Sequence, residues 1–533
     1  MPADFNFAFD VVDAIAAADP TRPAMVHVDD QDHRRDFDFA FFGRESTRLA
    51  AGLMKHGLRR GDPVMLILYR RVEFWIAVLA LHKIGAVAIP SPAMLTVKDI
   101  EYRLTAAHVT AVIAEDSVAD PVDAARAACP ALRLTVQVGA GGKRAGWLAF
   151  EETCKDGDAN LRAVDKRAGG HDPLFVFFSS GTTGAPKMVE HDHTYPLAHL
   201  VTAMYWHDLR PGDLHMTIAD TGWAKAAWGK LYGQWIAGAT VFVHDFRGRF
   251  NAHRLLHALS THHVTTFCAP PTVYRLMITH HDLRHYDLSS LRHCVSAGEL
   301  LNRDIFETWK SATGLSLYEG YGQTETPLQI ATFPFMQPTP GSMGRPCPGW
   351  DVVLLGENDQ PVTGPDEGEI CIRLNGKHPL GLFQGYAADP ALTGRVLRDG
   401  YYRTGDKARM DEDGYLWFIG RNDDLIKSSG YRIGPFEVES ALVTHPAVAE
   451  AAVTGVPDPV RGQLVKATVV LRPGHTPSEH LVHEIQEHVK TITASYKYPR
   501  IIEFAAELPK TISGKIRRAE IRARDAAVKN SDQ

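Results

Sequence analysis

The residues best suited to chemistry begin with a run of hydroxyls and glycines at positions 179–187. The run reads SSGTTGAPK and follows residues 174–178 (LFVFF), an apolar stretch that predicts a short buried strand. Glycine permits close backbone approach, so the N–H groups can wrap anionic oxygens while a lysine adds one positive charge. The spacing is not that of the Walker loop, and a plain glycine-rich turn is the alternative. The candidate residues are Ser179, Ser180, Gly181, Thr182, Thr183, Gly184 and Lys187.

A second group of polar and aromatic residues occupies positions 318–325 (YEGYGQTE). An aromatic ring can stack on a base, a hydroxyl can bond a phosphate, and a carboxylate can hold a hard cation through oxygen. The group therefore fits a nucleotide, and the alternative is an aromatic strand end followed by a polar turn. The candidate residues are Glu319, Gly320, Tyr321, Gly322, Gln323, Thr324 and Glu325.

Shorter motifs lie closer to the carboxyl terminus. Residues 402–406 (YRTGD) include Asp406, whose carboxylate can accept hydrogen bonds from both hydroxyls of a ribose. Arg421 stands just before an acidic pair, and the sequence GYRIG follows at 430–434. Residues 509–515 (PKTISGK) present Lys515 on a glycine-containing turn. Each of these motifs is a weak signal when taken alone.

The elements that must position these motifs alternate between helix and strand. Residues 73–84 have the apolar spacing of a helix that ends at Gly85, and residues 86–90, 110–114 and 132–138 predict strands. This alternation predicts an α/β fold, with mainly parallel sheets covered by helices. Short β-like runs separated by proline and glycine indicate a small β-rich subdomain at about residues 340–422.

A chain of 533 residues is too long for one hydrophobic core. We predict a large domain at residues 1–422 and a small α+β domain at residues 423–533. The small domain is expected to contain two strands and then a helix with Thr476 as N-cap, Pro477 at its first position and Glu479 closing a capping box. Its apolar face consists of Leu481, Ile485 and Val489.

Composition excludes several classes of partner. The net charge of −6 gives no support to binding of nucleic acid or of an anionic membrane, and the sequence lacks a run of 18 apolar residues. The six scattered cysteines predict reduced thiols rather than disulfides or a zinc site. No secretory signal is visible at the start. We therefore expect a cytoplasmic protein without stable membrane insertion.

Taken together and in this order, the motifs resemble those of the AMP-forming acyl-CoA synthetases of the adenylate-forming ligase superfamily. The similarity runs from about residue 20 to 525, and residues 430–435, 458–462 and 496–500 resemble the short- and medium-chain members. The resemblance implies two steps. ATP and a carboxylic acid first give an acyl-adenylate and pyrophosphate, and coenzyme A then displaces AMP to form a thioester.

The resemblance also implies roles for the candidate residues in the first step. The 179–187 segment would hold the β- and γ-phosphates, and residues 297–299 (Ala297, Gly298 and Glu299) and 319–324 would line the adenine site, with Tyr321 as the stacking ring. Thr324 would bond the α-phosphate and Glu325 would bind Mg²⁺. The ribose would be held by Asp406 and Arg421. Lys515 would bridge the acyl carboxylate and the α-phosphate, because a positioned ammonium offsets the repulsion between two anions.

For the second step, the resemblance implies a mobile small domain that rotates about a hinge at Asp423. The positions that match coenzyme A contacts are Ser429, Gly430, Tyr431, Arg432, Arg461, Lys490 and Tyr498. Lys490 is equally well explained as a solvated helix residue. By the same resemblance, Lys515 is a candidate for control by a lysine acetyltransferase and a deacetylase.

The predicted acyl pocket contains Trp223, Lys225 and Trp228. If the indole of Trp228 projects into the tunnel, it shortens the pocket and favours short or branched acids; otherwise it packs in the core. Three alternatives stay open: an aromatic-acid CoA ligase, an enzyme that loads a carrier-protein thiol, and a non-catalytic nucleotide-binding module. Retention of both Glu325 and Lys515 argues against the last.

Overall fold

The computed structural model describes residues 4–139, 141–142, 144–158, 168–179, 186–248, 250–280, 282–362, 364, 366–422, 424–429, 431–510 and 516–531. Four sheets organise this part of the chain.

The largest sheet has nine strands, and its six central strands run parallel. The outer strands are antiparallel to their neighbours. In spatial order the strands are Arg345–Pro346, Leu328–Ala331, Leu317–Gly322, His293–Ala297, Thr266–Ala269, Leu214–Thr217, Thr240–His244, Pro23–Val28 and Arg34–Asp38.

The second sheet has eight strands, six of them in one parallel block. Two antiparallel strands extend the block at one edge. In spatial order the strands are Gly385–Tyr386, Lys187–Asp192, Pro173–Ser179, Val87–Pro90, Pro63–Ile67, Ala111–Glu115, Leu134–Val138 and Leu148–Ala149.

The main hydrophobic core lies between these two sheets, around the helix Val72–Ile84. Every residue of this helix except Glu73 is buried, and the core includes side chains from strands of both sheets. A helix that is apolar on all sides belongs inside a protein. It ends at Gly85, whose φ of 77° is the left-handed conformation expected of a C-terminal glycine.

The other described helices pack on the sheets or connect them. The α-helices are Ala14–Ala18, Phe39–Lys55, Val72–Ile84, Val97–Ala106, Ala119–Arg126, Phe150–Lys155, Tyr195–Val201, Ala224–Gly229, Tyr232–Ile236, Ala252–Thr261, Pro271–His280, Arg303–Thr313, Pro390–Val396, Pro435–Val443, Glu479–Ile492 and Arg518–Ser531. Short π-helical segments occur at Ala8–Asp13 and Thr202–Trp206, and 3₁₀ turns at Asp116–Val118 and Leu283–His285. No helix in the described ranges is both long and apolar enough to cross a membrane.

Two smaller sheets follow. An antiparallel sheet forms the predicted β-rich subdomain, with strands Val352–Leu355, Glu367–Arg373, Tyr401–Met410, Leu397–Arg398 and Leu416–Arg421. The last sheet contains Tyr431–Ile433, Ile426–Ser428, Gly462–Leu471, Val448–Asp458 and Ile501–Phe504. The α/β fold with a β-rich region and a small C-terminal domain is thereby confirmed. The boundary at 422/423 stays a prediction, and Asp423 lies outside the described residues.

The N-cap predicted for the helix Glu479–Ile492 of the small domain is wrong. The helix begins at Glu479, and the N-cap is Ser478, whose hydroxyl accepts a hydrogen bond from the Leu481 backbone N–H at 3.1 Å. Thr476 and Pro477 lie before the helix. Threonine and serine are both good caps, so their order in the sequence does not decide between them. All six cysteines are buried and unpaired.

Candidate active site

Strand Leu317–Gly322 carries the centre of the site, and its side chains alternate between two faces. On one face, Oε1 of Glu319 accepts a hydrogen bond from the Leu301 backbone N–H at 3.3 Å. On the other face, a Cβ added to Gly320 would lie 2.6 Å from the ring of Trp206, and one added to Gly322 would lie 2.3 Å from the ring of Trp228. The two glycines are therefore required by close indole packing, a reason that the sequence did not reveal.

Asp406 is the meeting point of three predicted nucleotide-site residues. The Tyr321 hydroxyl donates to Asp406 Oδ2 at 2.6 Å, and the Gln323 amide donates to the same oxygen at 2.7 Å. Arg421 Nη1 lies 3.5 Å from Asp406 Oδ1, across a pair of antiparallel strands. Burial, and then the nearby Asp406 charge, raise the pKa of Tyr321 well above its usual value, so the phenol stays a hydrogen-bond donor. Strands of two different sheets thus build one polar cluster.

The turn at Thr324 and Glu325 is held from beneath by residues of the eight-stranded sheet. His191 Nε2 donates to the Thr324 carbonyl at 2.8 Å, and the Tyr386 hydroxyl donates to Glu325 Oε1 at 2.8 Å. Burial lowers the pKa of His191 to about 4, so the ring is neutral and Nε2 carries the proton. Lys187 Nζ lies 5.3 Å from the centre of the Tyr386 ring. The end of the 179–187 segment and the 318–325 segment therefore meet at Tyr386.

Sequence reasoning missed both His191 and Tyr386. His191 is one of 26 histidines, and its only local signal is its position four residues after Lys187. Tyr386 stands on the short strand that pairs with Lys187–Asp192 at the sheet edge. Only the pairing of those strands brings the two side chains under Thr324 and Glu325.

The residues at the end of strand His293–Ala297 form another wall of the site. Gly298 follows the strand with a φ of 103°, which favours glycine. Lys225 Nζ donates to the Ala297 carbonyl at 2.7 Å, and Glu299 Oε2 accepts from the Thr272 hydroxyl at 2.7 Å. Lys225 thus links the predicted acyl-pocket helix to the predicted adenine-binding segment.

Trp228 is buried beside strand Leu317–Gly322. It belongs to a hydrophobic cluster that also contains Trp206, Leu328 and Phe333, and it faces Gly322. Trp223 is half-buried and precedes the helix Ala224–Gly229. The indole of Trp228 is thus a core side chain and a neighbour of the site, and its place in an acyl tunnel stays a prediction.

The predicted coenzyme A contacts form two connected groups in the small domain. Ser429 has a left-handed φ of 52°, rare for a residue with a side chain, and its backbone N–H donates to the Arg461 carbonyl at 2.9 Å. Lys490 Nζ lies 2.6 Å from Glu487 Oε1 and 4.3 Å from the centre of the Tyr498 ring.

Stacking of Tyr431 on Tyr496, with ring centres 4.1 Å apart, joins these two groups. Tyr431 is 51% exposed, so this aromatic pair is open to a ligand. Arg432 is described only through its strand pairing with Lys427.

Several predicted site residues lie outside the described part of the chain: Ser180, Gly181, Thr182, Thr183, Gly184, Asp423, Gly430 and Lys515. Within the described part, no group of three or more histidine, cysteine, aspartate or glutamate side chains is arranged to hold a metal ion. A single carboxylate such as Glu325 fits Mg²⁺, which is usually bound by one or two carboxylates together with substrate phosphates.

This combination of a polar nucleotide-type cluster and a separate small domain agrees with the family models. The AMP-binding enzyme model matches residues 12–387, and the model of the AMP-binding enzyme C-terminal domain matches residues 437–515. The chain therefore belongs to the AMP-binding enzyme family.

Relatives identify the branch of the family. "Acyl-coenzyme A synthetase ACSM3, mitochondrial" of Homo sapiens is 44% identical over 98% of this chain and 90% of its own length. "Acyl-coenzyme A synthetase ACSM5, mitochondrial" of Homo sapiens is 43% identical over 98% and 91%. The crystal structure of the anthranilate CoA ligase AuaEII with anthranoyl-AMP has a TM-score of 0.90 and 30% identity over 99% of both chains. The predicted resemblance to acyl-CoA synthetases and the prediction of a ligase are confirmed.

Proposed function

We propose that this protein joins a carboxylic acid to coenzyme A in two steps, through an acyl-adenylate and with release of pyrophosphate and then AMP. The observation that carries the proposal is the convergence of Tyr321, Gln323 and Arg421 on Asp406. Beside it, the Thr324–Glu325 turn is fixed from two sides. A module that only bound a nucleotide would not need the Thr324–Glu325 turn to be fixed in this way.

The chain's own residues supply positioning and charge. In this proposal, Asp406 accepts hydrogen bonds from the ribose hydroxyls, and the positive charge of Arg421 lies beside that carboxylate. Tyr321 provides the flat surface for the adenine ring, and the Thr324 hydroxyl donates to the α-phosphate. Lys187 places its ammonium near the terminal phosphates.

Glu325 would hold Mg²⁺ together with the phosphates of ATP. When bound, the ion would neutralise the charge of the leaving pyrophosphate. Lys515 would stabilise the developing charge where the acid attacks the α-phosphate, a type of contribution typically worth about 3–4 kcal/mol. The coenzyme A groups around Ser429 and Tyr498 would then face the acyl-adenylate after the small domain has turned about Asp423.

The acid is proposed to be a short- to medium-chain carboxylic acid, with branching permitted. The relatives are named acyl-coenzyme A synthetases, which supports a carboxylic acid as the substrate. An aromatic acid is the second candidate, because two structural relatives are ligases of anthranilate and benzoate and because the indoles of Trp206 and Trp228 lie beside the site. A flat ring would stack on such indoles, whereas a flexible chain would thread past them.

A pyrophosphate-release screen over short, medium, branched and aromatic acids, with and without coenzyme A, tests the proposal. We expect release with aliphatic acids and a thioester product only when coenzyme A is present. Thioester formation on a carrier protein but not on free coenzyme A would contradict it, as would ATP binding without pyrophosphate release for every acid.

Two finer parts of the proposal concern regulation and location. Acetylation of Lys515 would remove its positive charge, so full acetylation should abolish adenylation and a deacetylase should restore it. Normal adenylation by the acetylated protein would contradict this regulation. The names of the relatives place them in mitochondria, and a cytoplasmic location for this chain stays a prediction that cell fractionation can check.

A further inference from the structure

The helix Arg518–Ser531 begins three residues after Lys515, and the residues on either side of positions 511–515 are held together. Lys510 and Ile516 pair in an isolated antiparallel bridge, and the Arg517 backbone N–H donates to the Pro509 carbonyl at 2.8 Å. Residues 509–510 are therefore joined to residues 516–517 immediately before this helix.

That first turn is fixed by a buried, two-pronged ion pair. Arg518 donates from Nε and Nη2 to Glu439 Oε1 at 3.1 and 2.9 Å, and from Nη2 to Glu439 Oε2 at 2.6 Å. Arg518 is 8% exposed and Glu439 is 7% exposed. Glu439 Oε1 also accepts from the Val453 backbone N–H at 2.7 Å, so the carboxylate is itself fixed by the C-terminal sheet. A bidentate pair of this kind specifies orientation as well as proximity.

The same guanidinium reaches the segment next to the proposed hinge. Arg518 Nη1 lies 3.9 Å from Asp424 Oδ2, and Arg522 Nη1 donates to Asp424 Oδ1 at 2.7 Å. Asp424 is buried and directly follows Asp423. One cluster of charges thus contacts the residue after the hinge and the first turn after Lys515.

Stability alone is a weak explanation for this cluster, because buried ion pairs often stabilise a protein no more than apolar residues of the same size. The guanidinium also lies 4.5 Å from the centre of the Phe436 ring, and that ring contacts Phe418 of the β-rich subdomain at 5.4 Å between centres. The cluster therefore lies at the boundary where the small domain meets the large one.

We propose that Arg518 is a positioning residue for adenylation, which clamps the start of the helix that follows Lys515 in sequence to Glu439 and to Asp424. This inference rests on the proposed function, since it assigns Arg518 an effect that passes through Lys515. Arg518 touches neither substrate in this proposal. Its removal should misplace Lys515 and leave the coenzyme A groups in place.

The test compares Arg518→Gln and Arg518→Lys with Lys515→Ala and with the double variant Lys515→Ala/Arg518→Gln. Pyrophosphate release reports adenylation, thioester formation from pre-made acyl-adenylate reports the second step, and thermal unfolding reports stability. Arg524→Gln is the matched control: it removes a guanidinium from the same helix, where Arg524 is exposed and pairs only with Glu520 among the ion pairs described.

We expect Arg518→Gln to lower the kcat of adenylation by about 100-fold, because a displacement of about 1 Å can cost that much. The KM for ATP and the second step should stay within about threefold of wild type, since the proposed contribution of Lys515 is to the charge that develops in the transition state of the first step. Arg518→Lys should not restore adenylation, because an ammonium cannot make the bidentate contact. The double variant should be no slower than Lys515→Ala, since the effect of Arg518 passes through that lysine.

Three results would overturn the inference. Equal loss of both steps in Arg518→Gln and Arg518→Lys would assign the cluster a purely structural role. A further loss in the double variant would show that Arg518 acts independently of Lys515. If Lys515→Ala itself left adenylation intact, the proposed role of Lys515 would fail first, and the clamp with it.

Discussion

Replacing Glu319 by glutamine tests whether a carboxyl group next to the nucleotide site is uncharged in the folded protein. Glu319 is 5% exposed, its Oε1 accepts one backbone hydrogen bond, and its Oε2 has no partner in the described structure. Burial raises the pKa of this carboxyl from 4.5 to about 8, and the bond from the Leu301 N–H opposes the shift only in part. Near neutral pH the folded protein therefore holds a proton that the unfolded chain has released.

The sign of the pH dependence follows from that proton. Between pH 4.5 and about 8 the folded state binds more protons at this site than the unfolded state, so the free energy of unfolding falls as pH rises. At about 1.4 kcal/mol per pH unit, the fall over this interval reaches at most about 5 kcal/mol. Glutamine has nearly the same shape, keeps an oxygen for the Leu301 N–H and does not titrate. Its stability should therefore lack this slope.

The measurement is urea unfolding of wild type and Glu319→Gln at pH 5, 6, 7 and 8. We expect the two proteins to be similar at pH 5 and the variant to be more stable at pH 8, by up to about 5 kcal/mol. Glu299→Gln is the control, because it removes a half-buried carboxyl from the same region that already accepts a hydrogen bond from Thr272. Identical pH slopes in wild type and Glu319→Gln would refute a protonated Glu319.

Three further predictions concern the reaction. Trp228→Gly should move the preference toward longer acids. For an acid with three more carbons, the relative kcat/KM should rise by tens-fold, at about 0.8 kcal/mol per buried methylene. An unchanged chain-length profile would place Trp228 outside the pocket. His191→Leu removes the donor to the Thr324 carbonyl and should slow adenylation by about tenfold, because an unsatisfied buried acceptor costs roughly 1–2 kcal/mol. His191→Gln should recover part of the rate. Equal loss of rate in both variants would argue that packing of the ring matters more than the hydrogen bond. Lys515→Ala should lose adenylation by about 10²–10³-fold and spare thioester formation, and Gly430→Leu should do the reverse; equal damage to both steps in each variant would exclude domain rotation.

Local pattern was sufficient to predict most elements. The runs at 86–90, 110–114 and 132–138 are strands within one or two residues, because each is an apolar block between turn residues. The start of the helix Glu479–Ile492 was missed by two residues, since Thr476 and Ser478 are both capable caps and it is the Ser478 hydroxyl that accepts from the Leu481 backbone N–H.

Contacts between distant segments could not be predicted in the same way. The motif at 318–325 was recognised, yet the burial of Glu319 and the indoles behind Gly320 and Gly322 depend on neighbouring strands and helices. His191 and Thr324 are 133 residues apart in sequence. No local periodicity encodes such a pair, because each partner is an ordinary residue until the sheets bring them together.

The position of strand Pro23–Val28 has a consequence for how the protein is made. This strand pairs in parallel with Thr240–His244, and its other neighbour is the mostly polar Arg34–Asp38. At about 5–20 residues per second, a ribosome needs roughly 10–40 s between making the strand and making its parallel partner. Throughout that interval the strand, in which five of six residues are buried in the finished protein, lacks its parallel hydrogen-bonding partner. The nascent chain is therefore a natural client for chaperones, and a fragment that stops before residue 240 should aggregate when expressed alone.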